Sequence, residues 1–509
     1  AFISGVDGAA MIDALNAGQE VRITVHQQDQ LSGWEEGGQM SSFTSWGSGS
    51  GLELKPEITA PGGNIWSTVM DSSYVEGAGK YDDYTGSYSL MSGTSMATPH
   101  MAGLAALVEQ YVKSRHPQQD AAASADLTNH LLVSTAVPQQ ENSVYVSPRR
   151  QGAGLVNAAA AISTPAYIDV DGKLVGKLEL GDDPGWSGSY DLDFRVENLG
   201  SDTLSYSMKA VLLRPDTAEQ DGKTMVLASD VLIREVDLGS ITVPAGGTQV
   251  SRTVSLTASD IAAIRDLFPN GSYVEGFVTL TQVAADGSAL TDPIDLGLPF
   301  LAFYGDWTKA PIMDSTDYWE TLDGSASQAQ AYMNTAFSSS SENTVDTYLG
   351  DNNYTSVPYL ADRNAISPNN DDFMDSLTGI YTGLLRNTKS LKYTITGANG
   401  QVYYSKDCEY VGKSIYSYDY YRIVPAGVDA EYDGIEPWYG TDSHNAKLPN
   451  NTKATVTIEA TLPYGDGVGT NQKHSWSFPI TIDTEEPHAD NLKVTESEGR
   501  YYLSLDVSD

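Results

Sequence analysis

A mixed α/β unit followed by antiparallel β-sandwiches is the fold class that the sequence predicts, and three observations predict it. Up to about residue 163, helical runs alternate with apolar strands and glycine-rich turns. The composition changes after "STPAY", and from there period-two alternation dominates. The 509 residues have room for roughly three or four domains, so each pattern can belong to units with their own cores.

Taken in order, residues 1–27 read as a helix, "GAAMIDALNAG", and a strand, "EVRITV". In "LMSGTSMATPHMAGLAALVEQY", residues 90–111, a helix follows Ser95; Leu104, Leu107, Val108, Tyr111 and Val112 share one face of it, which is expected to be core. A second helical stretch runs through Leu127 and Leu131, and "RRQGAGLVNAAAAI" is a glycine turn leading into an alanine-rich helix. In "YDLDFRVENLG", Leu192, Phe194 and Val196 fall on one strand face. "ITVPAGGTQVSRTVSL" reads as two strands around a proline-glycine turn. Repeated short strands of this kind place one sandwich at 164–307, a second at 308–486 and the start of a third at 487–509. The polar run "SASQAQAYMNTAFSSSSENTVDTYLGDNNYTS" is expected to be a surface excursion of the second.

The net charge of −38 argues against nucleic acid as a partner, because phosphate binding needs clustered Lys and Arg. Cys408 is the single cysteine, so no intrachain disulfide can form. No apolar run approaches the ~18 residues of a membrane span. The start "AFISGVDGAA" and the end "YYLSLDVSD", which stops inside an alternating pattern, give the expectation of an internal fragment.

Ser95 stands between small residues ahead of the helix, and two readings compete. A serine there is commonly a cap for the free amides of the first turn. Alternatively, the positive end of the helix and the N–H of Ser95 itself could stabilise an oxyanion formed when its hydroxyl attacks a carbonyl. Gly93 would let a substrate chain approach the backbone.

"GTSMATPHMAG" resembles the nucleophile motif G-T-S-M-A-x-P of the subtilases, the subtilisin-like serine peptidases. "SSFTSWGSGSGLELKPEITAPGGNIWST" and "QGAGLVNAAAA" resemble the segments on either side of that motif. "LPFLAFYGDWTKAPIMD" (298–314) and "AISPNNDDFMDSL" (365–377) resemble segments of lactocepin-type cell-envelope proteinases and of the streptococcal peptidase that cleaves a complement anaphylatoxin. The resemblance implies a multidomain chain. Residues 1–27 end an inserted protease-associated domain; 28–163 form the C-terminal part of a subtilisin-like α/β domain, a parallel sheet with helices; fibronectin type III-like sandwiches follow.

It also implies a serine endopeptidase acting on protein or peptide substrates, with Ser95 as nucleophile and its backbone N–H as oxyanion donor. Gly93, Thr94 and Met96 would lie at the substrate, Phe43 on the leaving side of the peptide, and Met96 would be open to slowing by oxidation. Plain strand packing for Phe43 and helix-start packing for Met96 remain alternatives. In this family the triad order is Asp, His, Ser. His26, the only histidine before Ser95, lacks the H-G-T-x-V-A-G surroundings of the base and reads as a surface residue. His100, five residues after the nucleophile, is a packing position. No D-[ST]-G precedes Ser95, so the base, the orienting Asp and an oxyanion Asn are expected upstream of residue 1. The chain alone is then expected to be nearly inert, since a triad without its base retains a residual of roughly 10³–10⁴ over water.

Asn369, Asp371 and Asp375 supply hard oxygen atoms that suit calcium, against the plainer reading of a solvated acidic turn. No cofactor is required for the chemistry. "AFYGDWTKAP" reads as an interdomain hinge packed on Phe303 and Trp307. A monomer, extracellular or wall-attached in a bacterium, is expected by family analogy. The competing function is a surface adhesion protein whose peptidase unit is inactive. An unrelated α/β-hydrolase is disfavoured because no G-x-S-x-G surrounds Ser95.

Overall fold

A computed structural model describes residues 5–19, 21, 37–69, 74–75, 80–81, 88–171, 173–313, 335–339, 346–350, 360, 363–413, 415–417, 422–424, 426–428, 436–464, 473–486 and 488–508. Residues 1–40 and 41–509 are two separate units. The first contains α1 (Gly5–Asn16), which realises the predicted opening helix. The strand read in "EVRITV" lies outside the described residues.

In the second unit, α2 (Thr94–Arg115) and α3 (Ala121–Ser134) pack on each other. Asp120 caps α3 by accepting the Ala123 amide at 2.8 Å. A four-residue turn, α4 (Pro148–Gln151), follows, and then α5 (Ala158–Ser163), capped by Asn157. Val108 and Val112 of α2 meet Leu127, Leu131 and Leu132 of α3 and Ala161 of α5 in one small core. Only part of the predicted α2 face is covered: Leu107 is 61% exposed and Leu104 half-buried. Gly152, with φ of 63°, ends α4 where a side chain would collide with the Glu57 backbone. That close approach lets Ala153 N donate to Glu57 O and Thr59 N to Gly154 O, each at 2.9 Å.

The parallel sheet expected for 28–163 is not found among the described residues. Strands Ile65–Thr68 and Tyr88–Met91 pair antiparallel, as do Gln140–Glu141 and Val144–Tyr145. Among the described residues of this region, the parallel contact is the bridge between Thr59 and Leu155. Parallel strands need crossover partners, and the described strands here lie in antiparallel hairpins instead.

Residues 166–304 form a two-sheet sandwich around a single core. One sheet has the order 223–243, 204–220, 272–283, 296–304, 178–182, antiparallel except for the last pair. The other has the order 248–255, 189–198, 166–169. In 189–198 every second residue is buried, and Leu192, Phe194 and Val196 face inward as the alternation predicts. Helix α6 (Ala258–Leu267) adds Ile264 to this core, and its capping box joins Thr257 to Asp260.

A second core spans 312–482, with Tyr393, Ile395, Val456 and Ile458 fully buried. Its larger sheet has the order 365–366, 473–482, 453–461, 390–397, 402–409. Among the described residues, strands His488–Ser497 and Arg500–Ser508 pair with each other as a two-stranded sheet. Within the second core, the Met313 amide donates to Nδ1 of His474 at 3.1 Å. Burial holds that imidazole below its ordinary pKa. The unfolded chain therefore takes up the proton first, and this contribution to stability, full above about pH 6.5, is lost as the pH falls toward the folded value. In denaturant melts the second sandwich should unfold earlier at pH 5.5 than at pH 7, and His474→Gln should flatten that step. An unchanged step in the variant would exclude His474 as its source.

The segment read as a hinge is a bonded joint. Phe303 and Trp307 do pack there, with ring centroids 5.1 Å apart. The Asp182 carboxylate accepts from Trp307 N at 2.9 Å and from the Tyr464 hydroxyl at 2.6 Å. Trp307 Nε1 donates to Ser50 O at 2.9 Å, and Arg386 Nη1 donates to Trp307 O at 2.7 Å. Four stretches of chain, around Ser50, Asp182, Arg386 and Tyr464, are thus joined at Trp307, Tyr464 through the Asp182 carboxylate.

Candidate active site

The turn before α2 is set by backbone rather than by a capping side chain. The pairing of 65–68 with 88–91 brings Asn64 beside Ser92: Asn64 N donates to Ser92 Oγ at 2.8 Å, and Ser92 Oγ donates back to Asn64 Oδ1 at 3.2 Å. Gly93 N donates to Gly62 O at 2.9 Å, and a side chain at Gly62 would press on Gly93 O and Ala97. Gly93 is the residue at the cap position and carries no capping side chain. Met96 N and Ala97 N both turn to Gly93 O, at 3.0 and 3.4 Å.

Ser95 is the second residue of the helix, so it is not the cap. Its side chain is exposed and hydrogen-bonds to none of the described residues. The amides of Thr94 and Ser95 precede any helical acceptor and are among the four left over at every helix start. A partial positive charge of roughly half a unit accompanies them. A hydroxyl at this point therefore stands beside amide donors whose partner must come from outside the helix.

Thr94 is exposed and lines a cleft of about 400 Å³ with Thr44, Trp46, Pro56, Met101 and Arg150. Gly93 and Met96 do not line it; Met96 is half-buried with its sulfur next to Gly93. Phe43 is 45% exposed and neighbours the cleft-lining Thr44 without entering the wall itself. His100 Nδ1 lies 2.9 Å from Pro61 O and 3.1 Å from Met96 O. Both partners are carbonyls, so Nδ1 carries the proton and the ring ties α2 to the 61–64 loop, which is the packing role expected of it. His26 lies outside the described residues. Sequence reasoning missed Ser92, Asn64 and Gly62, which fix the turn, and Trp46 and Arg150, which wall the cleft. The G-G-N run at 62–64 was the available signal.

At 369–375 the acidic side chains fold the loop onto itself. Asp375 accepts Asn370 N at 2.6 Å and Asp372 N at 2.9 Å. Asp371 accepts Phe373 N at 2.9 Å, and Asn369 Oδ1 accepts Asp371 N at 3.0 Å. Asn370, Asp372 and Met374 all have positive φ, which these bonds stabilise. A cation would compete with amides for the same oxygens, and no group of three or more His, Cys, Asp or Glu side chains is gathered for a metal among the described residues.

Residues 11–154 match the subtilase family, and residues 187–301 match Fn3-like domains. The chain is 28% identical over 556 residues to the PI-type proteinase of Lactococcus lactis subsp. cremoris, covering 100% of this chain and 26% of that protein. It is 29% identical over 507 residues to the PII-type proteinase of Lacticaseibacillus paracasei, covering 92% of this chain and 24% of that protein. With the C5a peptidase of Streptococcus pyogenes it shares 29% identity over 330 residues, 62% of this chain and 25% of that protein. The chain spans about a quarter of the length of these relatives.

Proposed function

The chain carries a subtilase-family segment at 11–154 and an Fn3-like domain at 187–301, and from that premise we propose that it is part of a serine endopeptidase in which Ser95 is the nucleophile. The observation that carries the reading is the exposed hydroxyl at the second position of α2, beside unpaired amides; Ser95 does not itself line the cleft, which the adjacent Thr94 does. Ser95 Oγ attacks a peptide carbonyl while a base removes its proton; the carbonyl oxygen gains the negative charge, and the Ser95 amide receives it. One such donor contributes about 2.7–4 kcal/mol to a transition state. The amine then leaves with a proton, and water hydrolyses the acyl-enzyme.

Gly93, Thr94 and Met96 approach the substrate in this reading, and Phe43 serves its leaving side. Helices α2, α3 and α5 are the helical layer of a subtilisin-like α/β arrangement. Substrates are proteins or peptides, the protein works as a monomer, and its place is extracellular or at the cell wall; the relatives' names support the proteinase class. Calcium at 369–375 belongs to the same proposal only in competition with the loop's own amides.

Ser95 has no base bonded to it among the described residues, and this observation favours a second reading, a surface binding protein with an inactive peptidase unit. We assign the triad Asp and His to neither His26 nor His100. Chemical rescue tests the proposal. A fluorophosphonate should label Ser95 slowly in the chain, and added imidazole, acting as the absent base, should raise the rate in proportion to its concentration. Ser95→Ala should abolish that increment. A labelling rate indifferent to imidazole and equal to that of Ser95→Ala would remove the nucleophile and leave the binding reading.

A further inference from the structure

Trp46 lines the same cleft as Thr94, and two arginines lie over it. The Arg149 guanidinium carbon lies 5.5 Å from the indole centroid and that of Arg150 lies 5.7 Å from it. Gly47 N also donates to Arg149 O at 2.7 Å, so the chain directly after Trp46 is anchored to the α4 turn. Arg149 is itself held from the first sandwich. Its Nε donates to Glu275 Oε2 at 2.9 Å and its Nη2 to Oε1 at 2.7 Å, while its carbon lies 4.0 Å over the Tyr273 ring. Glu275 is fully buried. Its residue partners are 126 positions away in sequence, so this fork crosses from one core to another.

We infer that Glu275 is a positioning residue of the cleft: through Arg149 it fixes Trp46, so that the Fn3-like sandwich sets part of the wall that Thr94 also lines. A bidentate guanidinium–carboxylate pair fixes direction as well as distance, and a lysine or a lone hydrogen bond would not. The use of that wall by a substrate rests on the peptidase reading; the geometry of the wall does not.

Asp230, 8% exposed, supplies a handle on the same fork. It lies 3.9 Å from Arg149 Nη2, too far for a hydrogen bond, so one guanidinium serves two carboxyl groups. Burial first, and then the neighbouring Glu275, push the Asp230 carboxyl far above the usual carboxylate range, with Arg149 opposing. The groups facing it are Arg149 and Ser147 from the α4 side and Glu275 from strand 272–283, with Tyr273 on the far partner, Arg149. Tyr145 of the adjoining hairpin packs at a tilt against Phe277; on the neighbouring strand Arg214 is bonded to Pro215 O and Asp216 receives Ser229. Once Asp230 loses its proton in the alkaline range, it competes with Glu275 for Arg149.

The chain labelled with 5-fluorotryptophan reports the position of Trp46 directly, its resonance assigned with Trp46→Phe. Glu275→Gln should shift the Trp46 resonance and increase its solvent exposure while Trp438 and Trp476 of the second sandwich stay in place. In the unsubstituted chain the Trp46 resonance should move between about pH 7 and pH 10, and in Asp230→Asn that movement should be lost. An unmoved Trp46 in a folded Glu275→Gln chain overturns the inference, as does a Trp46 that still titrates in Asp230→Asn. If Glu275→Gln does not fold, the Asp230→Asn comparison decides by itself. None of these readouts involves Ser95, so failure of its labelling would leave the positioning role standing.

Discussion

Replacing Arg149 by methionine should lower the stability of the first sandwich by about 3–5 kcal/mol at pH 7. Methionine keeps most of the length and apolar body of the side chain, so the loss comes from the charge. Glu275 is 0% exposed and Asp230 8% exposed, and without the guanidinium neither carboxyl group has a cation within reach. In the wild-type chain, burial works against the charged guanidinium, but Glu275 and Asp230 more than restore it. The variant reverses the balance: a fully buried carboxylate is left to bear its whole desolvation cost when ionised. The penalty is then greatest where the unfolded carboxylate is ionised, and it shrinks as the pH falls below about 4.3. Urea melts of both proteins at pH 7 and pH 4 measure this. A difference under about 1 kcal/mol at pH 7 would mean that the pair behaves like an exposed surface bridge.

Phe194→Ala should cost about 3–5 kcal/mol, through lost burial and through the cavity left behind. Phe194 is 1% exposed in the middle strand of the three-stranded sheet, opposite Val250, so neighbours on both sides are held by ladders and cannot collapse into the gap. Leu107→Ala provides the contrast. At 61% exposure it should change stability by no more than about 0.5 kcal/mol, although the sequence places it on the same helix face as Val108 and Val112. Differential scanning calorimetry separates the two: a comparable drop in both variants would show that Leu107 is covered in solution.

Those two residues also mark what could be read in advance. Period-two alternation located Phe194 because a strand in a sandwich has one wet and one dry side, and the dry side must meet the opposing sheet. Helical periodicity located the α2 stripe but not its cover, since spacing tells which residues share a face and nothing of what meets it. Hence Val108 is buried and Leu107 is not. Near Ser95 the small residues announced the helix start, whereas the identity of the cap depended on Gly93 backbone geometry. At 369–375 the polar spacing was a true turn signal; whether its oxygens face a cation or their own amides depends on three-dimensional direction. The Arg149–Glu275 fork left no trace, because a contact between residues 126 apart has no local pattern.

The bonded joint around Trp307 bears on how force and orientation travel along the chain. A pliant tether would let the distal module sample many poses, and anything captured there would arrive at Ser95 by diffusion within a tethered volume. With Asp182 gripping Tyr464 and Arg386 gripping Trp307, the two sandwiches instead behave as a keyed shaft. Their mutual orientation is set by these bonds rather than left to a swivel.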